Sequence, residues 1–427
     1  MLDRKYIVEN AAVVKQNCAN RGAAADVDQL VNLENERRDK LAQVEELNRQ
    51  ANQVSKSIGQ AKDAQQREAR KQDGRRLRQA KDEAQGEHDR LDAAILAVQR
   101  LIPNLSHPEA PVGDDEEANL TLREGKHTPP ELDFPTLDHV DLGERLGLLD
   151  LESGARTTGH GFYFLRNEAV LLELALVRYA LDLLMAEGFS PTITPDLARN
   201  EILDGVGFIP RGEETQIYSI ENTDLSLIAT AEITLGGMLA GQTVDADRLP
   251  IKLCGLSHCY RTEAGARGRA TRGLYRVHQF TKIEMFTFTL PDQSDAMLDH
   301  LLDIQCRLFD GLGIPYRVVD TATGDLGGPA YRKFDLEAWM PGRGESGEYG
   351  EVTSTSNCTD YQARRLGIRF RRKGEKGTQF LHTLNGTAIA VSRALIAIME
   401  NFQTADAAIE IPAVLRPLVG KERIGPV

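Results

Sequence analysis

Apolar side chains recur in alternating steps of three and four residues through Val44, Leu47, Ala51, Val54, Ile58 and Ala61. Leu77, Ala80, Ala84, Leu91, Ile95, Val98 and Ile102 keep a similar beat, with one polar gap around His88. Such a repeat keeps one stripe of a helix facing a partner helix, so both segments are seams of the coiled-coil type. The stretch QQREARKQDGRR lies between them and contains Gly74 as a turn signal. The economical solution is an antiparallel helical hairpin. Its first helix, from Asp28 to Gln65, would span roughly 57 Å at about 1.5 Å per residue.

The whole chain of 427 residues carries a net charge of −13, which alone argues against a nucleic-acid partner. The average hides a local reversal. Between Val54 and Lys81 there are nine basic side chains against three acidic ones. Lys56, Lys62, Arg67, Arg70, Lys71, Arg75, Arg76 and Arg78 gather at and near the far tip of the hairpin, where they do nothing for the seam. A rod with a basic end fits a probe for a phosphate backbone.

Residues 106–135 are Pro-rich and acidic and read as a linker or crossover. They divide a domain at 1–113 from a second at 114–427. Beyond about 140, strands outnumber the helices between them, which predicts an α+β fold with an antiparallel sheet flanked by helices. Residues 167–188 read as an apolar helix, strands are expected at 251–288, near 314–320 and at 331–340, and the last major helix at 386–403. No apolar run reaches membrane-spanning length and the start is too polar for a leader, so the cytoplasm is expected. The five cysteines are odd in number and include no CxxC pair, so neither a disulfide framework nor structural zinc is expected.

The segment 251–288 carries the chemistry. It reads as two strands around the loop AGARGRATRG (264–273). Strand alternation places Arg276, His278, Phe280, Lys282 and Glu284 on one face, and Val277, Ile283 and Met285 on the other. Solvation alone accounts for Lys282, but poorly for a Phe set among His, Lys, Arg and Glu. Arg276, Phe280 and Glu284 would stand about 13 Å apart in succession, a bed for phosphate, base and a small zwitterion. Elsewhere, Glu351 and Ser354 could hold a hard cation through oxygen, or form a polar turn. Arg393 sits in an apolar helix and calls for an anionic partner, either a carboxylate or a phosphate. No P-loop, Rossmann or kinase signature occurs.

Taken in order, IPNLSHPEAPVG (102–113), GFSPTITP ending at Pro195, TAE (230–232), YRTEAG…TRGLYRVHQFTKIE, EVTSTSNCTDYQARR (351–365) and HTLNGTAIAVSR (382–393) resemble the bacterial-type seryl-tRNA synthetases over nearly the full length. These are class II aminoacyl-tRNA synthetases. The resemblance implies serine activation with ATP, then transfer to the 3′-terminal adenosine of tRNA(Ser), and of tRNA(Sec) where the host has one. It places Arg261 on the α-phosphate and the serine carboxylate, and Glu263 at the adenine end. Phe280 and Arg393 would lie on either side of adenine and ATP, with Thr262, Arg276, Val277, Val352 and Thr353 completing the nucleotide site. Glu351 and Ser354 would hold Mg²⁺. Thr230, Ala231, Glu232, Glu284, Asn385 and Thr387 would bind L-serine, with Glu284 taking the ammonium. Arg261 and Arg393, with Mg²⁺, would carry the catalytic load, which is positioning and charge neutralisation. The arm would read the long variable arm of the tRNA by its A-form shape. A homodimer, with tRNA bound across subunits, and no membrane are implied. A carrier-protein ligase on the same core would lack the arm. Three features depart from the pattern: Gly350, where relatives usually carry a basic residue; Ala270 in the loop; and a long GRGESGE segment at 342–348.

Overall fold

The computed structural model describes residues 1–208, 216–264 and 272–425. The chain divides into two compact units, Met1–Leu105 and Ser106–Val427.

In the first unit, α1 (Arg4–Glu9) and α2 (Ala11–Asn20) pack at the base of a long pair, α3 (Val27–Ile58) and α4 (Ala64–Leu101). Ile7, Val14, Leu30, Ile95 and Ile102 form its small apolar core. The two long helices run antiparallel: Arg37 Nη1 lies 3.0 Å from His88 Nε2, and Gly74 faces Val54. The hairpin is therefore as expected, but its turn is not. The first helix stops at Ile58 rather than near Gln65, and Gly74 lies inside α4. The break is set by Asp63, whose carboxylate accepts from Gln66 N–H at 2.7 Å and caps α4. That cap satisfies an orphan N–H that glycine cannot, and the Asp63-x-x-Gln66 pattern was its sequence signature.

The second unit is built on an eight-stranded sheet. Its strands are β1 (Leu120–Glu124), β2 (Ser190–Ile193), β3 (Ile251–Tyr260), β4 (Gln279–Thr289), β5 (Tyr316–Asp320), β6 (Arg332–Met340), β7 (Glu348–Asn357) and β8 (His382–Ala390). Their spatial order is β1-β5-β6-β7-β8-β4-β3-β2. All neighbours are antiparallel except β2 on β3, which is parallel. Part of the segment read as a linker or crossover is thus edge strand, since β1 pairs with β5. The polar stretch around Glu351, open to a turn reading, is a ten-residue strand. The apolar run from 386 divides into the end of β8 and a helix that starts only at Val391.

One sheet face carries the large core, with Ile283 and Met285 of β4 against α6 (Glu168–Ala186), α8 (Ser294–Leu312) and α9 (Val391–Asn401); α5 (His139–Arg145) lies at its margin. The other face carries a smaller core in which Phe286 and Phe288 pack near α7 (Ala231–Gly237). A Cβ on Gly255 of β3 would meet that of Ala231 at 2.8 Å, so only glycine lets α7 lie this close to the sheet. Along this second face β4 runs from Phe288 and Phe286 to Glu284, Lys282 and Phe280. The core gives way there to a polar floor. No helix among the described residues is long and apolar enough to cross a membrane.

Candidate active site

That floor opens into a cleft lined mostly by polar and charged side chains. Strands β4, β7 and β8, the segment that follows β3 and the first turn of α9 supply its walls. Thr230 and Glu232 enter from α7, where the Thr230 hydroxyl caps the helix by accepting from Glu232 N–H at 3.3 Å. Arg261 and Glu263 follow the end of β3. Phe280 and Glu284 stand on β4, Glu351 through Ser354 on β7, Asn385 and Thr387 on β8, and Arg393 on α9.

Register explains the gathering. Glu284 is paired on one side with Gly255 and on the other with Thr387, whose hydroxyl donates to Glu284 Oε2 at 3.2 Å. Ser356 is opposite Asn385, and the Asn385 amide donates to Glu232 Oε1 at 2.9 Å. Gln362 donates to the same oxygen at 2.6 Å. Arg261 lies over the Phe280 ring at 5.5 Å, a cation held against an aromatic face that still opens to the cleft. Arg393 donates to the Glu351 carbonyl at 2.9 Å and stands 3.3 Å from Glu351 Oε1. Burial pushes the Glu351 carboxyl up, but Arg393, Lys333, Arg261 and Arg276 outweigh it, and the group ends below the usual carboxylate range.

Three expected positions differ. Arg276 is not on the cleft wall; it turns to Glu263, 3.5 Å away. Val277, assigned by alternation to the opposite face, lines the cleft instead. His278 leaves to stack on Phe162 at 5.1 Å. The reason is common to all three: the β3–β4 ladder ends at Tyr260 and Gln279, so residues before Gln279 no longer alternate. Glu263 marks the departure on the other arm with φ +50°, rare for a residue with a side chain. Ala231 is buried in α7 and Thr262 stands beside the cleft rather than in its wall. Ala270 and residues 265–271 lie outside the described residues.

Lys282 is a correction of another kind. Solvation does not explain it, because it is only 5% exposed. Its ammonium pairs with Glu284 Oε2 at 2.5 Å and donates to Thr230 Oγ1 at 2.8 Å. It therefore belongs to the floor, and alternation had already placed it beside Glu284. Tyr275 was missed outright: it lines the cleft, and its hydroxyl donates to the Glu351 carbonyl at 3.3 Å. Nothing in the residue type or its spacing signals this, because the chain is irregular there.

The chain before Tyr275 is tied from behind. Leu274 N–H donates to His139 Nε2 at 3.1 Å, so Nδ1 carries the proton, 2.8 Å from Glu400 Oε1. Gly273 has φ +82°, and a Cβ there would lie 2.0 Å from the His139 ring, so no other residue fits. Arg272 pairs with Asp138 and Asp141 just before it.

Glu232 titrates unusually. Burial pushes it up, the Glu284 carboxylate adds to this, and Gln362, Lys282 and Arg261 offset only part, leaving a pKa of about 7. The folded chain thus holds this proton to higher pH than the unfolded chain. Stability from this group is full in acid and is lost as pH rises through about 7. Glu232→Gln keeps the shape and removes the titration. It is expected to melt about 2 °C above the parent at pH 8, and level with or below it near pH 5, in paired thermal scans. Equal pH dependence in parent and variant would show that Glu232 does not titrate there.

A sheet of this order, with arginines from the end of its hairpin's first arm and from α9 converging on one cleft, is the core of a class II aminoacyl-tRNA synthetase. The model of the tRNA synthetase class II core domain (G, H, P, S and T) matches residues 216–402. The model of the seryl-tRNA synthetase N-terminal domain matches residues 1–106, and the chain belongs to the seryl-tRNA synthetase family. It is 61% identical to the serine–tRNA ligase of Rhodopirellula baltica over 98% of each chain. Among solved structures, it resembles the seryl-tRNA synthetase of Pyrococcus horikoshii complexed with ATP, at 38% identity, full coverage of both chains and a TM-score of 0.93. It also resembles the cytoplasmic serine–tRNA ligase of Naegleria fowleri in complex with AMP, at 33% identity over 100% and 99% of the two chains, with a TM-score of 0.87. The activity is ATP-dependent ligation of serine to tRNA(Ser).

Proposed function

We propose that this one cleft performs both steps, with each residue in the role its position supports. The observation that carries the reading is the convergence of Arg261, Phe280, Glu284, Thr387, Glu351 and Arg393 from five separate segments on a single cavity. Adenine would stack on Phe280, with Arg393 covering the ATP from the other side and Glu263 at the adenine end. Arg261 and Arg393 would hold the α-phosphate from two sides as charge builds on the pentacoordinate phosphorus. Thr230, Glu232, Glu284, Asn385 and Thr387 would hold serine. Its ammonium would share Glu284 with Lys282, and its hydroxyl would meet polar groups left unpaired when alanine binds, a difference worth about 10⁴-fold or more.

Glu351 and Ser354 fit Mg²⁺. No cluster of three or more His, Cys, Asp or Glu able to hold a metal by itself occurs among the described residues. One carboxylate and one hydroxyl suit an ion that keeps its waters and shares substrate phosphates. Asp335, across from Ser354 on β6, leaves a buried Oδ1 without a partner among the described residues, on the same side as that donor pair. Bound there, Mg²⁺ would neutralise phosphate charge; the protein's residues orient and bind.

The arm would track the tRNA backbone, since Lys56, Lys62, Arg67, Arg75 and Arg78 are exposed and have no ion pair among the described residues. Arg70 is less available, because it donates to the Ser57 carbonyl at the end of α3. The reading extends to tRNA(Sec) where the host has one, to a cytoplasmic site, and to a homodimer with tRNA across subunits. The dimer is supported by uncovered apolar side chains, Leu174 on α6 and Ile193 on β2, the latter 83% exposed. The test is ATP–pyrophosphate exchange with serine, alanine, glycine and threonine, followed by tRNA charging. Serine is expected to exceed each of the others by at least about 10²-fold. Exchange at background with serine, or a preference for alanine, would overturn the reading.

A further inference from the structure

The turn between β6 and β7 carries Arg343, which no reading above uses. Its guanidinium lies over the Tyr275 ring at 4.3 Å, and that of Arg393 lies over the same ring at 4.6 Å. Tyr275 is a wall of the cleft and bonds the Glu351 carbonyl. Arg343 Nε pairs with Glu348 at 3.3 Å, but Nη1 is buried without a hydrogen-bond partner among the described residues. A buried donor left unpaired beside another guanidinium is costly unless an anion arrives to take it. Nor is the side chain there by default. The turn is anchored, since Gly342 N–H donates to Glu400 Oε2 at 2.9 Å, the carboxylate that also holds His139.

Gly350 explains how the guanidinium reaches this position. A Cβ on Gly350 would lie 2.9 Å from Arg343 Nη1 and 3.1 Å from the Tyr275 ring. The space that a side chain before Glu351 would take is filled by an arginine from the neighbouring turn. We propose that Arg343 is a phosphate-binding residue, which holds the terminal phosphates of ATP and the pyrophosphate they become. The inference rests on the adenylate-forming role of the cleft. In that step a serine carboxylate oxygen bonds to the α-phosphorus, the bond from that phosphorus to the α,β-bridging oxygen breaks, and the electron pair leaves with pyrophosphate. Arg343 takes up part of that departing charge, and a guanidinium can do so through two donors at once.

Arg343→Met keeps an unbranched stem over Tyr275 and removes the charge. The KM values for ATP and for pyrophosphate in serine-dependent exchange are expected to rise about 10-fold or more. Affinity for a seryl-sulfamoyl adenosine, which has no terminal phosphates, is expected to stay within about 2-fold. Unchanged KM values, or equal losses for ATP and the sulfamoyl compound, would overturn the proposal, the second by showing that Arg343 only props Tyr275. Gly350→Arg added to Arg343→Met places a guanidinium in the same space from the strand side and is expected to recover most of the lost ATP affinity. A folded double variant with no recovery would refute the shared subsite. A parent protein without serine-dependent exchange would instead overturn the reading of the cleft.

Discussion

Serine-dependent ATP–pyrophosphate exchange is expected to fall at least about 10³-fold in Arg393→Ala. The size follows from what Arg393 does without substrate. It is the cation nearest Glu351, bonded to its carbonyl and close to its carboxylate, and it is stacked on Tyr275. Its removal strips one side of the phosphate grip and leaves the Glu351 carboxylate with less positive charge around it. Glu351 should then protonate more easily, so the residual activity of the variant is expected to fall away at a higher pH than that of the parent on acidification. Arg393→Lys keeps the charge but loses the fork, and should lie between the two. Retention of exchange within tenfold in Arg393→Ala, with an unchanged melting temperature, would remove Arg393 from the mechanism.

Trimming the arm should separate the two half-reactions. Replacement of residues 38–87 by a short Gly-Ser turn removes the hairpin tip and its basic groups. It spares Leu30, Ile95 and Ile102, which hold the base against α1 and α2. Exchange is expected to stay within about threefold of the parent. The kcat/KM for charging tRNA(Ser) is expected to drop at least about 10³-fold, and what remains should depend less on salt because fewer phosphates are neutralised. Equal loss of both activities would refute the division of labour.

Much of this was legible because period and charge act locally. The seams of α3 and α4 repeat over many turns, so the hairpin could be read with no tertiary information. Its turn was misplaced because glycine is a permissive signal, tolerated inside a helix, whereas an N-cap is a positive one. On β4 the alternation held from Phe280 onward, where the ladder exists, and failed at Arg276 and Val277, where it does not. β8 was partly read as helix because a central strand buried on both faces shows no alternation, only a continuous apolar run. The roles of Tyr275 and Arg343 depend on neighbours far away in sequence, and no local pattern announces them. Gly350 did stand out as a departure. The side chain that compensates for it became visible only with the fold.

Strand β8 is the last of the eight to be synthesised, yet it lies fourth from one side, hydrogen-bonded to β7 and β4. Without residues 382–390 this strand order would fall into two half-sheets, β1-β5-β6-β7 and β4-β3-β2, each with an inner border of unpaired amides. A nascent or prematurely terminated chain therefore offers two sticky borders at once and lacks the strand that would join them. Fragments ending before His382 are expected to collect in inclusion bodies rather than persist as partial enzymes.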